Sequence, residues 1–173
     1  EIHEQPAVVT ETLAGRLDED GTAWLEGVKF DDDFARDFDE LWITACGTAY
    51  HAGLVGKEIF RRLLRIPTTV EYAHEMRYND PLISPRSLTV AISQSGETAD
   101  TLAAARLARE RGSRLLALTN VVGSTLSREA DDILYTRAGP EISVASTKAY
   151  LAMLIAQYLL ALRIGLVRGV VDD

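Results

Sequence analysis

Ser93, Gln94, Ser95 and Thr98 crowd around Gly96 at the end of an apolar run, with no lysine or arginine among them. That composition suits an anion held without side-chain cations. The start of a helix carries unpaired N–H groups and a partial positive charge, which together attract a phosphate. Serine and threonine hydroxyls add donors, and glycine lets the backbone approach a ligand closely. Two further stretches share the pattern, CGTAYHAG from Cys46 and ISVASTKAY from Ile142. Each is rich in Gly, Ser or Thr, and each precedes a helical pattern. The same residues also serve as plain helix caps, and any one stretch alone reads that way. Three at one edge of a sheet are harder to explain so. No G-x-x-x-x-G-K-[ST] loop occurs, and no G-x-G-x-x-G follows the first strand pattern,.

Other chemically capable residues carry weaker signals. Cys46 ends a strand pattern where a helix start can depress a thiol pKa, but no histidine is placed to act as its base. It reads as a small strand-end residue. His3, His51 and His74 show no metal-ligand spacing, and no metal is expected,. Glu71 and Glu75 flank His74 and could do acid–base work, yet they fit a charged loop or subunit contact better. Lys148 either faces a phosphate or simply caps and solvates its helix. The acidic run DDDFARDFDE reads as a solvated face.

The elements that must position these residues follow from periodicity. Residues 1–27 read as an amphipathic helical lead-in with Pro6 near its start. Strands are expected at 41–45, in PTTVEYA, in SLTVAIS, in RLLALTN and in DDILYTRA, because these runs are short, apolar and rich in β-branched residues,. SLTVAIS has no charge, as suits a strand covered on both faces. Helices are expected in YHAGLVGKEIFRRLL with Ala52, Val55, Ile59 and Leu63 inward, in ADTLAAARLARERG, in STLSREA behind a Ser or Thr cap, and in STKAYLAMLIAQYLLALRIG,. Alternating strands and helices imply an α/β fold with a parallel sheet. In such sheets ligands bind beyond the carboxyl ends of the strands, which is where all three stretches lie.

Bulk properties narrow the class. A chain of 173 residues fits one domain, and 47% hydrophobic residues can build a full core,. The net charge of −8 argues against nucleic acid, but not against a small phosphorylated ligand,. The single cysteine excludes a disulfide framework within the chain and points to a reducing, cytoplasmic compartment,. The run from Tyr150 to Val167 is broken by Gln157 and Arg163, so a buried helix is expected there and no membrane span,. A start at Glu1 in place of methionine suggests a fragment of a longer chain.

ACGTAYHAG, SQSGETADT and EISVASTKAY resemble the signature stretches of the sugar isomerase (SIS) domain family. They are most similar to the first of two such domains in the glutamine–fructose-6-phosphate aminotransferases, and EIHEQP resembles the segment opening their isomerase half. The resemblance implies a three-layer αβα sandwich on a five-stranded, flavodoxin-like doubly wound sheet, at 41–173 behind a helical lead-in at 1–40. It implies that Ser93, Gln94, Ser95 and Thr98 hold a phosphate. Thr48, with the backbone at Cys46 and Gly47, would contact sugar or phosphate, and Val144 and Ser146 the sugar hydroxyls. Many members carry serine where this chain has Ala49, so one contact is in doubt. The implied ligands are fructose-6-phosphate and glucosamine-6-phosphate, with no cofactor. The implied partners are a glutaminase domain and a second SIS domain, in a homodimer. The glutamate, histidine and lysines of the proton chemistry would lie in that second domain and a C-terminal tail, leaving no catalytic residue here. A phosphosugar-sensing domain of a regulator, or a stand-alone isomerase or deaminase, are the alternatives.

Overall fold

Five apolar runs become five strands: β1 Glu40–Ala45, β2 Thr68–Tyr72, β3 Ser87–Ser93, β4 Arg114–Thr119 and β5 Asp132–Tyr135. The computed structural model describes residues 1–171. All four pairings are parallel, in the order β2-β1-β3-β4-β5. The helices are α1 Gln5–Leu13, α2 Asp32–Asp37, α3 Gly47–Leu64, α4 Ala73–Met76, α5 Ala99–Glu110, α6 Thr125–Glu129 and α7 Lys148–Arg168.

Side chains alternate across a strand, so each strand feeds two cores. Leu41, Ile43, Leu88, Val90, Ile92, Leu116 and Leu118 pack under α1, α2, α3 and α7. On the opposite face Trp42 packs with α4 and α5, while Ala91, Leu115 and Ala117 pack with α5 and α6. The result is the expected three-layer αβα sandwich with a doubly wound sheet. β1 leads through α3 outward to β2, whereas β3 leads through α5 outward to β4. The strand order therefore reverses between β1 and β3, and a crevice opens at their carboxyl ends.

α7 is long and apolar enough by composition to cross a membrane, but half of its most apolar window is buried against the domain. Gln157, which interrupts the apolar run, is fully buried and donates to the Ala52 carbonyl of α3 (3.0 Å).

Three expectations change. The lead-in is not one helix over 1–27: α1 stops at Leu13, and Gly15 turns the chain at φ +67°. A tight turn from Asp18 to Gly21 then folds Leu17 back onto Ala23. Asp132, fully buried, anchors the next segment by accepting from the Lys29 and Phe30 amides and from Arg114. On α3 the buried stripe is Ala52, Gly53, Gly56, Ile59 and Phe60, while Val55 is exposed. Glycine lets the helices meet, since a Cβ on Gly56 would overlap Gln157. Finally, α6 is not capped by the Ser124 side chain. Glu97 from the neighbouring turn accepts the Thr125 amide in its place (2.7 Å).

Candidate functional site

At the β1/β3 crevice lies a cavity of about 250 Å³. Its walls are Cys46, Gly47, Thr48 and Ala49 after β1, then Ser93, Gln94, Ser95 and Thr98 after β3, and Val144 and Ser146 before α7. Ile92 and Met153 complete it as apolar surface that donor-rich turns do not signal. Every residue that the resemblance assigns to phosphate or sugar meets here, but Lys148 does not. That residue is buried outside the cavity, with its ammonium 2.5 Å from the Glu4 carboxylate.

The turn after β3 is braced from behind. Gly96 adopts φ +67°, and a Cβ there would strike Ser124 and Thr119. The Gln94 carbonyl accepts from the Asn120 amide (3.1 Å), and the Gly96 carbonyl from the Leu126 amide (3.0 Å). Within the turn, the Gly96 amide donates to Ser93 Oγ (3.0 Å) and the Glu97 amide to Ser95 Oγ (3.2 Å). Ser93 Oγ and Thr98 Oγ1 stand 3.0 Å apart and share one of their two protons. The other proton is free to meet an anion.

The carboxylates near this turn face away from it. Glu97 reaches α6, and the Thr125 amide, with its hydroxyl, holds the Glu97 carboxyl below its ordinary value. Asp100, in the first turn of α5, pairs with Arg77 (2.9 Å). Thr98 forms no side-chain cap on α5, and Cys46 forms none on α3. Two helices of 12 and 18 residues thus present uncapped starts to one cavity. The Cys46 thiol, half-buried, receives the Thr101 hydroxyl (3.9 Å), which ties the two helix starts together.

The start of α7 differs. Glu141 Oε1 accepts from the Thr147 amide (2.9 Å) and the Ala149 amide (3.3 Å). Ser146 Oγ accepts from the Tyr150 amide (3.0 Å). This helix is capped by its own loop, and Glu141 is the residue that sequence reasoning missed. A glutamate ahead of a helix was the available signal, without a means of telling which way it turns.

The remaining candidates sit elsewhere. His51 and His74 are exposed and lie against Tyr50 and Tyr72. Glu71, the next-to-last residue of β2, keeps one buried carboxylate oxygen without a partner among the described residues. Among the described residues no cluster of three or more His, Cys, Asp or Glu is placed to hold a metal.

A family model for the SIS domain matches residues 36–163. The isomerizing glutamine–fructose-6-phosphate aminotransferase of Corynebacterium efficiens is 54% identical over 98% of this chain and 27% of its own length. That of Caldanaerobacter subterraneus subsp. tengcongensis is 53% identical over 100% of this chain and 28% of its own length. The C-terminal domain of glucosamine-fructose-6-phosphate aminotransferase from Francisella tularensis superposes with a TM-score of 0.91 at 38% identity, over 99% of this chain and 48% of that one. The chain thus spans 27–28% of the length of these two curated relatives.

Proposed function

The chain belongs to the SIS domain family, and we propose that it is the first, sugar-phosphate-binding SIS domain of an isomerizing glutamine–fructose-6-phosphate aminotransferase. The whole enzyme would take ammonia from glutamine, add it to fructose-6-phosphate and isomerise the product to glucosamine-6-phosphate. This domain's share is to seat the sugar phosphate. One observation carries the reading: the uncapped starts of α3 and α5 meet the hydroxyls of Ser93, Ser95, Thr98 and Thr48 in a single cavity at the strand-order reversal.

In this reading Ser93, Gln94, Ser95 and Thr98, with the first amides of α5, hold the phosphate. Thr48 and the backbone at Cys46 and Gly47 approach it from α3, while Val144 and Ser146 meet the sugar. Neutral hydroxyls and helix dipoles hold a dianion without moving protons, so the isolated domain binds and does not turn over. The acid–base groups belong to a second SIS domain and tail of the same enzyme. A cytoplasmic homodimer completes the proposal; a chain with one cysteine suits that reducing compartment,. Calorimetry with glucosamine-6-phosphate against unphosphorylated glucosamine is the test. Phosphate-dependent affinity supports the site, and equal affinities would sink it. Turnover of fructose-6-phosphate by this chain at the rate of an intact relative would sink the claim of binding alone.

A further inference from the structure

We propose that Glu141 is a positioning residue that gives the cavity its direction: it closes the start of α7 to the phosphate and makes Ser146 an acceptor toward a sugar hydroxyl. The inference rests on the sugar-phosphate reading and adds an orientation and a residue to it.

Glu141 uses both carboxylate oxygens. Oε1 accepts from the Thr147 and Ala149 amides, and Oε2 accepts the Ser146 hydroxyl proton (2.8 Å). A serine hydroxyl has one proton and two lone pairs. The proton of Ser146 is committed to Glu141, and one lone pair takes the Tyr150 amide. A single lone pair remains, and Ser146 lines the cavity. Its complement is an O–H or N–H donor. A phosphate dianion offers only acceptors and is repelled.

Charge points the same way. The positive end of α7 is neutralised by Glu141 itself, and Glu1 and Glu4 lie behind the same loop, on the Ile142 amide and on Lys148. At the α5 end the nearest carboxylates, Glu97 and Asp100, are held by Thr125 and Arg77. An anion entering the cavity therefore meets open amides on one side and a carboxylate-filled helix start on the other. The ligand sits with its phosphate on the β3 turn and a hydroxyl on Ser146.

Glu141→Gln tests this with little change in bulk. One amide oxygen keeps the backbone cap, but the NH2 now faces Ser146 as a donor, so the serine proton turns outward. Calorimetry would compare the unaltered chain, Glu141→Gln and Ser146→Ala, each with glucosamine-6-phosphate and with inorganic phosphate. The expected result is a loss of about tenfold for glucosamine-6-phosphate in Glu141→Gln, with inorganic phosphate unchanged or slightly tighter. Loss of both ligands by the same factor would mean that Glu141 only stabilises α7, and no loss of either would mean no role; both overturn the proposal. Should Glu141→Gln lose its cooperative melt, Ser146→Ala carries the test, since it keeps the Glu141 cap. Selective loss of the sugar phosphate supports the acceptor role, and equal effects on both probes overturn it. A Ser93→Ala/Thr98→Val chain in the same titrations separates the two levels. If that chain still binds glucosamine-6-phosphate normally, the sugar-phosphate reading itself fails, whatever Glu141 does.

Discussion

The turn from Ser93 to Thr98 and the loop from Glu141 to Tyr150 are assembled from the same kinds of residue. Both are rich in Ser and Thr, both lead into a helix and each contains one glutamate. In the first, Glu97 leaves its own helix and caps α6. In the second, Glu141 folds back and caps α7. One helix start is left open and the other is filled. Donor-rich composition before a helix therefore does not by itself define an anion site. What decides is the direction of the nearest carboxylate.

The largest contrast should appear between the glycine of the first region and one that lies just ahead of the second. Gly96 and Gly139 both sit near φ +68°, at +67° and +68°. A Cβ on Gly96 would strike Ser124 and Thr119, whereas on Gly139 it would only approach Lys148 Nζ at 3.9 Å. Gly139→Ala should cost the left-handed backbone penalty alone, about 1–2 kcal/mol. Gly96→Ala adds overpacking, for about 2–5 kcal/mol in all, and should abolish sugar-phosphate binding. Thermal melts of the two variants side by side would check this, and equal losses would break the idea that the β3 turn is shaped by its backing.

The next effect concerns the hydroxyls. Ser93→Ala with Thr98→Val removes the one hydroxyl proton that this pair leaves free for a charged group, contributing about 1.5–3 kcal/mol, so affinity for glucosamine-6-phosphate should fall about 10- to 150-fold,. Binding of unphosphorylated glucosamine should not change. A fall of tenfold or less would leave the backbone amides as the main phosphate contacts. Ala49→Ser tests the α3 side in the other direction. Its Cβ is at the cavity wall in the first turn of α3. One added neutral hydrogen bond contributes about 0.5–1.5 kcal/mol, which is roughly two- to tenfold tighter binding in the same calorimetry.

These contrasts mark where the sequence was readable. The strands were, because a charge-free run such as SLTVAIS bounded by Pro85 and Gly96 has few other ways to bury itself,. The site followed, since donor-rich turns at strand ends must gather at one edge of a parallel sheet. Other features hang on tertiary contacts that no local pattern encodes. The buried stripe of α3 runs through Gly53 and Gly56, which a search for apolar spacing skips, and it is chosen by the close approach of α7. The end of α1 at Leu13 is set by Gly15 and by a segment that turns back on itself. STKAY leaves Lys148 open between a phosphate and its own helix, and Glu4, 144 residues away, takes its ammonium.

The smallest expected effect isolates Glu97 as a brace. Its carboxylate is exposed, and its pKa lies below the ordinary 4.5 because the folded state donates the Thr125 amide to it. A group whose pKa is depressed on folding stabilises the native state at pH values above its unfolded value. That contribution is lost as pH falls below 4.5 and through the folded pKa. Glu97→Gln should therefore melt lower than the unaltered chain at neutral pH, and the gap should close in acid as the unaltered chain loses the same charged cap. Affinity for glucosamine-6-phosphate at neutral pH should move little, since the carboxylate faces α6 and not the cavity. Melts and titrations of the same samples separate the two roles. A Glu97→Gln chain that keeps its melting temperature but loses the sugar phosphate would make Glu97 a ligand, and the two glutamates would then no longer divide the site between them.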